Sequence, residues 1–116
     1  MTQKEVEQWI ESWVNLYPEN VKWNGVAIKS TVKDCLPRMV KFCKNNPTIS
    51  KENIFNATKK YLAIQEAKNW EYTRRAKYFI EKQGEGSMLL EFCNELSKDT
   101  NEQENDILIS FYNDFI

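Results

Sequence analysis

The sequence predicts an all-α fold, a small bundle of about five helices followed by a tethered C-terminal amphipathic segment. Two compositional observations predict this class. Glycine and proline number only three each among 116 residues, too few for a turn-rich β-sandwich. Apolar residues make up 41% of the chain and aromatic residues 13%, which is enough for one hydrophobic core. Apolar residues also recur at helical spacing along most of the chain.

The first helix is predicted over residues 3–16. Thr2 and Glu5 stand three residues apart, which is the spacing of a capping box at a helix N-terminus. An apolar stripe at helical spacing follows them, and Pro18 ends the helix. The stripe consists of Val6, Trp9, Ile10, Trp13, Val14 and Tyr17.

Residues 21–28 carry the signal of a short β-hairpin. Asn24-Gly25 is a strong hairpin turn sequence, and Val21 and Trp23 would face Val26 and Ile28 across it. Strands this short are marginal on their own. The alternative is an irregular loop that places Trp23 over the core.

Ser30 or Thr31 can cap a second helix, whose apolar face comprises Val32, Leu36, Met39, Val40 and Cys43. Pro37 conflicts with this helix, because a proline in a helix interior costs roughly 3 kcal/mol. The helix therefore either kinks at Pro37 or begins near it, with Asp34 or Cys35 as its cap.

Asn45-Asn46-Pro47 ends the second helix, and Ser50 opens a third. Ile49 and Ile54 are spaced as a hydrophobic staple across the start of this helix. The helical pattern then continues to about Ala67.

A fourth helix is predicted over about residues 70–83, with Gly84 as the glycine that ends it. Its apolar face would comprise Tyr72, Ala76, Phe79 and Ile80. Ser87 caps a fifth helix from Met88 to about Leu96, with Leu89, Cys93 and Leu96 facing the core.

The end of the chain divides into two contrasting segments. Residues 97–106 contain no apolar residue, whereas seven of the ten residues in 107–116 are apolar. We therefore expect a helical domain over 1–96, an acidic polar linker over 97–106, and a C-terminal amphipathic binding peptide over 107–116. The alternative is a sixth helix that returns to cap the core.

Charge is segregated along the chain, although the formal net charge is only −1. Residues 22–82 contain fourteen Lys or Arg against five Asp or Glu, and residues 97–116 contain one Lys against five acids. Such a basic region can bind nucleic acid or an acidic protein surface, or it can be an ordinary solvated exterior. The candidate residues for such binding are Lys59, Lys60, Arg74, Arg75 and Lys77.

The residue types argue against an enzyme. The chain has no histidine, so Ser–His and Cys–His pairs are impossible. Gly84-Glu85-Gly86-Ser87 lacks the lysine of a phosphate-binding loop. Three cysteines are one short of a closed all-cysteine zinc site. We expect no catalytic residue, metal or cofactor.

The sequence also predicts where the protein resides. Unpaired cysteines are typical of a reducing compartment. No apolar stretch reaches the length needed to cross a bilayer. We therefore expect a soluble cytoplasmic protein that has no membrane partner.

The C-terminal segment resembles the sliding-clamp-binding peptide known as the PIP box. Asn105-x-x-Leu108-x-x-Phe111-Tyr112 has its spacing, with Asn in place of the usual Gln. The size, the helical character and the ending Ser110-Phe111-Tyr112-Asn113-Asp114-Phe115-Ile116 also resemble the late-transcription coactivators of T4-like phages.

This resemblance implies a phage adaptor that binds RNA polymerase or the replication machinery and docks a sliding clamp. A protein encoded by a phage would lie in the host cytoplasm. The implied anchors are Asn105, Leu108, Phe111, Tyr112 and Phe115. The basic region supports one alternative, a nucleic-acid-binding accessory protein for DNA packaging or replication. Another alternative is a phage inhibitor of a host protein.

Overall fold

A computed structural model describes residues 1–97, and the predicted all-α class is confirmed there. The helices are α1 (Gln3–Val14), α2 (Val32–Asn45), α3 (Lys51–Ala67) and α4 (Ala76–Ile80). A further helix, α5, begins at residue 88 and continues to residue 97. The strands β1 (Lys22–Trp23) and β2 (Val26–Ala27) form an antiparallel hairpin between α1 and α2.

The three long helices begin at the caps that the sequence predicts. The hydroxyl oxygens of Thr2, Thr31 and Ser50 each accept a hydrogen bond from the backbone N–H three residues later, at 3.1 to 3.2 Å. Such caps satisfy donors that a helix N-terminus leaves without intrahelical partners. Local sequence is therefore sufficient to place the starts of α1 and α3, and for α2 the structure selects Thr31 among the caps that the sequence left open.

Pro37 lies inside α2, and the alternative of a helix that begins at Pro37 is wrong. Thr31 caps the helix six residues earlier and supplies the start signal. Pro37 lacks the N–H that would bond the carbonyl oxygen of Lys33. The helix continues through it because the next turns bury Met39, Phe42 and Cys43 in the core.

The predicted fourth helix over 70–83 is wrong in extent. The helix runs only from Ala76 to Ile80, and Asn69, Trp70 and Tyr72 have positive φ angles that no right-handed helix allows. Gly84 consequently does not end a helix. It lies in a turn closed by a bridge between Lys82 and Gly86.

A contiguous hydrophobic core joins the elements. α1 packs against α2, and α2 also packs against α4. Trp13 is fully buried, and its indole N–H donates to the Thr58 hydroxyl oxygen at 2.9 Å. That hydroxyl donates in turn to the carbonyl oxygen of Ile54 at 2.8 Å, so α1 and α3 are joined by a satisfied polar pair inside the core.

The three cysteines, Cys35, Cys43 and Cys93, are buried as free thiols. Across residues 1–97, no helix combines the length and the apolar character that crossing a membrane requires.

Candidate binding cleft

A cleft of about 550 Å³ lies where the hairpin, the 68–75 loop, α4 and the 81–87 turn meet. Its lining combines aromatic and cationic side chains with one carboxylate. The lining residues are Trp23, Val26, Ile28, Tyr72, Thr73, Arg74, Arg75, Tyr78, Lys82 and Glu85.

The hairpin positions Trp23 on one wall of this cleft. Asn24 and Gly25 both have positive φ, at 54° and 80°, as a tight two-residue turn requires. The turn pairs Trp23 with Val26. Ile28, directly after the hairpin, is fully buried and accepts a hydrogen bond from the Ala76 N–H at 2.9 Å, which fixes the hairpin to the start of α4.

The side chain of Gln65 holds the 68–75 loop in its non-helical path. Its amide nitrogen donates to the carbonyl oxygen of Glu71 at 3.0 Å and to the hydroxyl oxygen of Thr73 at 3.1 Å. Its backbone carbonyl accepts the Trp70 N–H at 2.7 Å. These bonds stabilise positive φ angles of 65° at Trp70 and 57° at Tyr72.

Tyr61 of α3 fixes the other end of the loop. Its hydroxyl oxygen accepts the backbone N–H of Arg74 at 2.7 Å, and its ring stacks on Phe79 with a centroid separation of 4.5 Å. Burial raises the pKa of the Tyr61 hydroxyl, so it stays protonated at neutral pH. Two side chains of α3, Gln65 and Tyr61, thus hold the backbone before α4 in place.

This fixed loop leaves one aromatic ring in solvent. Tyr72 is 80% exposed, yet its ring centroid lies 5.0 Å from that of the half-buried Trp23. The two rings form an aromatic pair at the mouth of the cleft. We refer to Trp23 and Tyr72 as the aromatic platform.

Cations surround the Tyr78 ring beside this platform. The charged groups of Arg38, Lys77 and Lys82 lie 5.7, 5.0 and 5.8 Å from its centroid. Lys77 also approaches Asp34 at 4.0 Å, and it lies beside the cleft rather than in its lining.

Glu85 is the carboxylate of the cleft, and two cations hold it. Lys82 contacts it at 2.8 Å and Arg74 at 3.8 Å. The hydrogen bond and the charge of Lys82 lower the pKa of Glu85, so it is ionised at neutral pH. With Arg75 added, the cations of the cleft outnumber this carboxylate.

Two guanidinium nitrogens in the cleft have unmet hydrogen-bonding capacity. Nη1 of Arg74 and Nε of Arg75 are buried and have no hydrogen-bond partner within residues 1–97. Arg75 also lacks an ion-pair partner in that part of the chain. A buried, unpaired charged donor is costly, and an anion bound in the cleft would supply the missing acceptor.

The structure separates the predicted basic residues into two groups. Arg74 and Arg75 line the cleft and Lys77 lies next to it. Lys59 and Lys60 lie on α3, outside the cleft lining. The predicted anchors Asn105, Leu108, Phe111, Tyr112 and Phe115 lie outside the described residues.

Sequence reasoning missed Tyr78 and Lys82 as part of this site. In a continuous helix over 70–83, these side chains would point in different directions around the helix axis. The short α4 and the turn after it instead bring them beside Arg74 and Arg75. For Trp23, the Asn24-Gly25 turn sequence did predict a position in a hairpin. No local pattern indicated that the hairpin would lie against residues so much later in the chain.

The thiols are poorly suited to nucleophilic chemistry. Burial raises the pKa of Cys35 to about 11, with the charge of Asp34 adding to the effect, and burial likewise raises the pKa of Cys93 to about 11. At neutral pH both are therefore thiols rather than reactive thiolates. Within residues 1–97 there is also no group of three side chains suited to holding a metal ion.

No family model, curated protein or solved structure matches this chain.

Proposed function

We propose that this chain is a non-enzymatic adaptor with two binding elements. The cleft of the helical body holds an anionic partner within a transcription or replication machine. The C-terminal peptide, residues 107–116, docks a sliding clamp. The observation that carries the proposal is that Arg74 and Arg75, beside the aromatic platform, each have one buried guanidinium nitrogen without a hydrogen-bond partner in residues 1–97.

The electrostatics of the cleft support an anionic partner. Arg74, Arg75 and Lys82 converge from two segments on a site that contains the single carboxylate of Glu85. The partial burial of the two arginines reduces the screening that makes exposed charges weak. A guanidinium also presents a planar set of donors that suits a carboxylate or phosphate better than an ammonium group does.

The sequence of the C-terminal peptide supports clamp docking. Leu108, Phe111 and Tyr112 have the spacing of a one-turn helix that inserts into an apolar pocket. The polar segment before them would allow the peptide to reach a partner while the body remains bound elsewhere. Such linkage raises the effective concentration of the second interaction.

Calorimetry with the sliding clamp of the same replication system tests the peptide. The double variant Phe111→Ala/Tyr112→Ala should bind at least about tenfold more weakly, because truncating aromatic anchors typically costs 2 kcal/mol or more. Asn101→Ala in the preceding polar segment is the matched control and should bind as the wild type does. Equal affinity of the double variant and the wild type would exclude clamp docking through these residues.

Elution from a heparin column tests the anionic partner. Arg75→Ala/Lys82→Ala should elute at clearly lower salt than Lys4→Ala/Lys44→Ala, which removes the same charge from exposed positions outside the cleft. If the two double variants elute together, net charge rather than the cleft governs binding, and this part of the proposal is wrong.

A further inference from the structure

The cleft combines two kinds of recognition group that a single ligand class can use together. Cationic donors line it, and so do the paired aromatic rings of Trp23 and Tyr72. A simple anion would engage the first set alone. A ligand with an anionic backbone and flat unsaturated rings would engage both.

We infer that the cleft binds single-stranded nucleic acid, with a phosphate at Arg74 and Arg75 and the adjacent base stacked on the platform of Trp23 and Tyr72. This inference rests on the proposed function, since it names the chemistry of the anionic partner.

The phosphate position follows from the unmet donors. Arg74 and Arg75 are consecutive residues, and each has one buried guanidinium nitrogen without an acceptor in the described part of the chain. Phosphate oxygens accept such bonds in charge-assisted, often two-point geometry. Lys82 lines the same cleft and adds a further positive charge.

The donors at the start of α4 are already used and do not define this position. Ile28 accepts the Ala76 N–H, and the Ser30 hydroxyl oxygen accepts the Lys77 N–H at 3.1 Å. The guanidinium groups of the two arginines therefore carry the phosphate contact.

The base position follows from Tyr72, whose backbone is strained and whose ring is exposed. A φ angle of 57° is unfavourable for a tyrosine, and the side chain it supports is 80% exposed. Strained backbone that the surrounding hydrogen bonds enforce is a mark of a functional position. Here Gln65 and Thr73 enforce it, and the outcome is a ring presented to solvent beside Trp23.

Single-stranded nucleic acid fits this arrangement better than the other anionic polymers. In a duplex the base faces are stacked on one another and are inaccessible to the platform. An acidic peptide would pair with the arginines but would leave the two aromatic rings without a matching group. Aromatic side chains in a basic groove are the usual means of holding unpaired bases without reading their sequence.

Fluorescence anisotropy with a labelled oligothymidylate of about twelve nucleotides tests the inference, using the full chain at low salt. The affinity should fall as salt rises, because phosphate binding releases counterions. An oligouridylate of equal length distinguishes DNA from RNA as the source of the strand. A duplex of equal length and polyglutamate serve as the competing anions, and both should bind more weakly than the oligothymidylate.

Two cleft variants separate the two contacts. Arg75→Ala should weaken binding about tenfold and reduce the salt slope by about 0.7, the value for one phosphate contact on a single strand. Tyr72→Ala should also weaken binding about tenfold, through lost stacking, while leaving the salt slope unchanged. Lys44→Ala has the same charge change as Arg75→Ala and should alter affinity less than twofold.

Intrinsic fluorescence provides a second readout that does not depend on a destabilising substitution. Oligothymidylate should quench part of the tryptophan emission, and Trp23→Phe should remove most of that quenching. Matching circular dichroism spectra would show that each variant is folded.

Three outcomes would overturn the inference: no binding at low salt, full affinity in Tyr72→Ala, or an equal loss in Lys44→Ala and Arg75→Ala. Nucleic acid would also be refuted as the ligand if polyglutamate bound as tightly as the oligothymidylate and its binding depended on Arg75. It would leave the anionic-partner role intact. Clamp binding through residues 107–116 is measured separately and is unaffected by either result.

Discussion

The body of the protein contains two regions that are stabilised in different ways. In the first, α1, α2 and α3 are 12, 14 and 17 residues long, and a side chain caps each of them. In the second, residues 68–87, the helix α4 has only five residues and no side-chain cap. Polar side chains of other elements hold this second region in place. Gln65 donates to the Thr73 hydroxyl oxygen, and the hydroxyl oxygens of Tyr61 and Ser30 accept the backbone N–H groups of Arg74 and Lys77.

The comparison explains why the cleft lies where it does. The three long helices obtain their stability by burying apolar side chains, so few of those side chains remain for a ligand. The second region buries the apolar side chains of the short helix α4, but its loop is held by a few polar contacts with the core. This leaves the ring of Tyr72 exposed, and it leaves one guanidinium nitrogen of Arg74 and one of Arg75 without an acceptor in the described part of the chain. Substitutions in the two regions should therefore affect stability and binding differently.

The largest loss of stability is expected for Trp13→Ala in the first region. Trp13 is fully buried and its indole donates to Thr58, so truncation leaves a cavity and removes the donor to the buried Thr58 hydroxyl oxygen. The free energy of unfolding should fall by about 3–5 kcal/mol, as measured by urea denaturation. Trp23→Ala is the control of equal size, and it should cost about 1 kcal/mol. Similar losses for the two variants would show that Trp23 contributes to the core as much as Trp13 does.

An intermediate loss of stability is expected for Gln65→Leu. This substitution nearly preserves the side-chain volume but removes the amide that links α3 to the 68–75 loop. The substitution removes the donor to the Glu71 carbonyl and the Thr73 hydroxyl, and the expected cost is about 1–3 kcal/mol. Amide hydrogen exchange should become faster over residues 68–75 and remain unchanged in α1. Uniform acceleration across both regions would instead show that Gln65 is an ordinary core residue.

The smallest effect on stability is expected for Tyr72→Gly. Glycine removes the cost of a positive φ, which is about 1–2 kcal/mol for other residues. Loss of the aromatic pair and the added freedom of the unfolded chain act in the opposite direction by similar amounts. Thermal denaturation should therefore place the midpoint within a few degrees of the wild type, while oligothymidylate binding weakens. A large drop in the midpoint would mean that the ring contributes mainly to folding.

The sequence was sufficient to predict those parts of the fold that depend on neighbouring residues. The caps at Thr2, Thr31 and Ser50 mark the starts of the long helices, and Asn24-Gly25 marks the hairpin. Each signal acts within a few residues, because a cap or a tight turn closes its own hydrogen bonds locally. For the same reason the basic charge of the surrounding sequence identified Arg74 and Arg75 as candidate binding residues, but it did not show that they share a cleft with Trp23.

Tertiary structure alone decided the path of residues 68–75 and therefore the site. The spacing of Tyr72, Ala76 and Phe79 is compatible with a helix, and helical propensity is a weak preference that tertiary contacts can outweigh. Here the buried amide of Gln65 and the hydroxyl of Tyr61 bind the backbone in a non-helical path. Contacts between residues far apart in sequence leave no local pattern. The cleft that depends on them could be recognised only once the chain was folded.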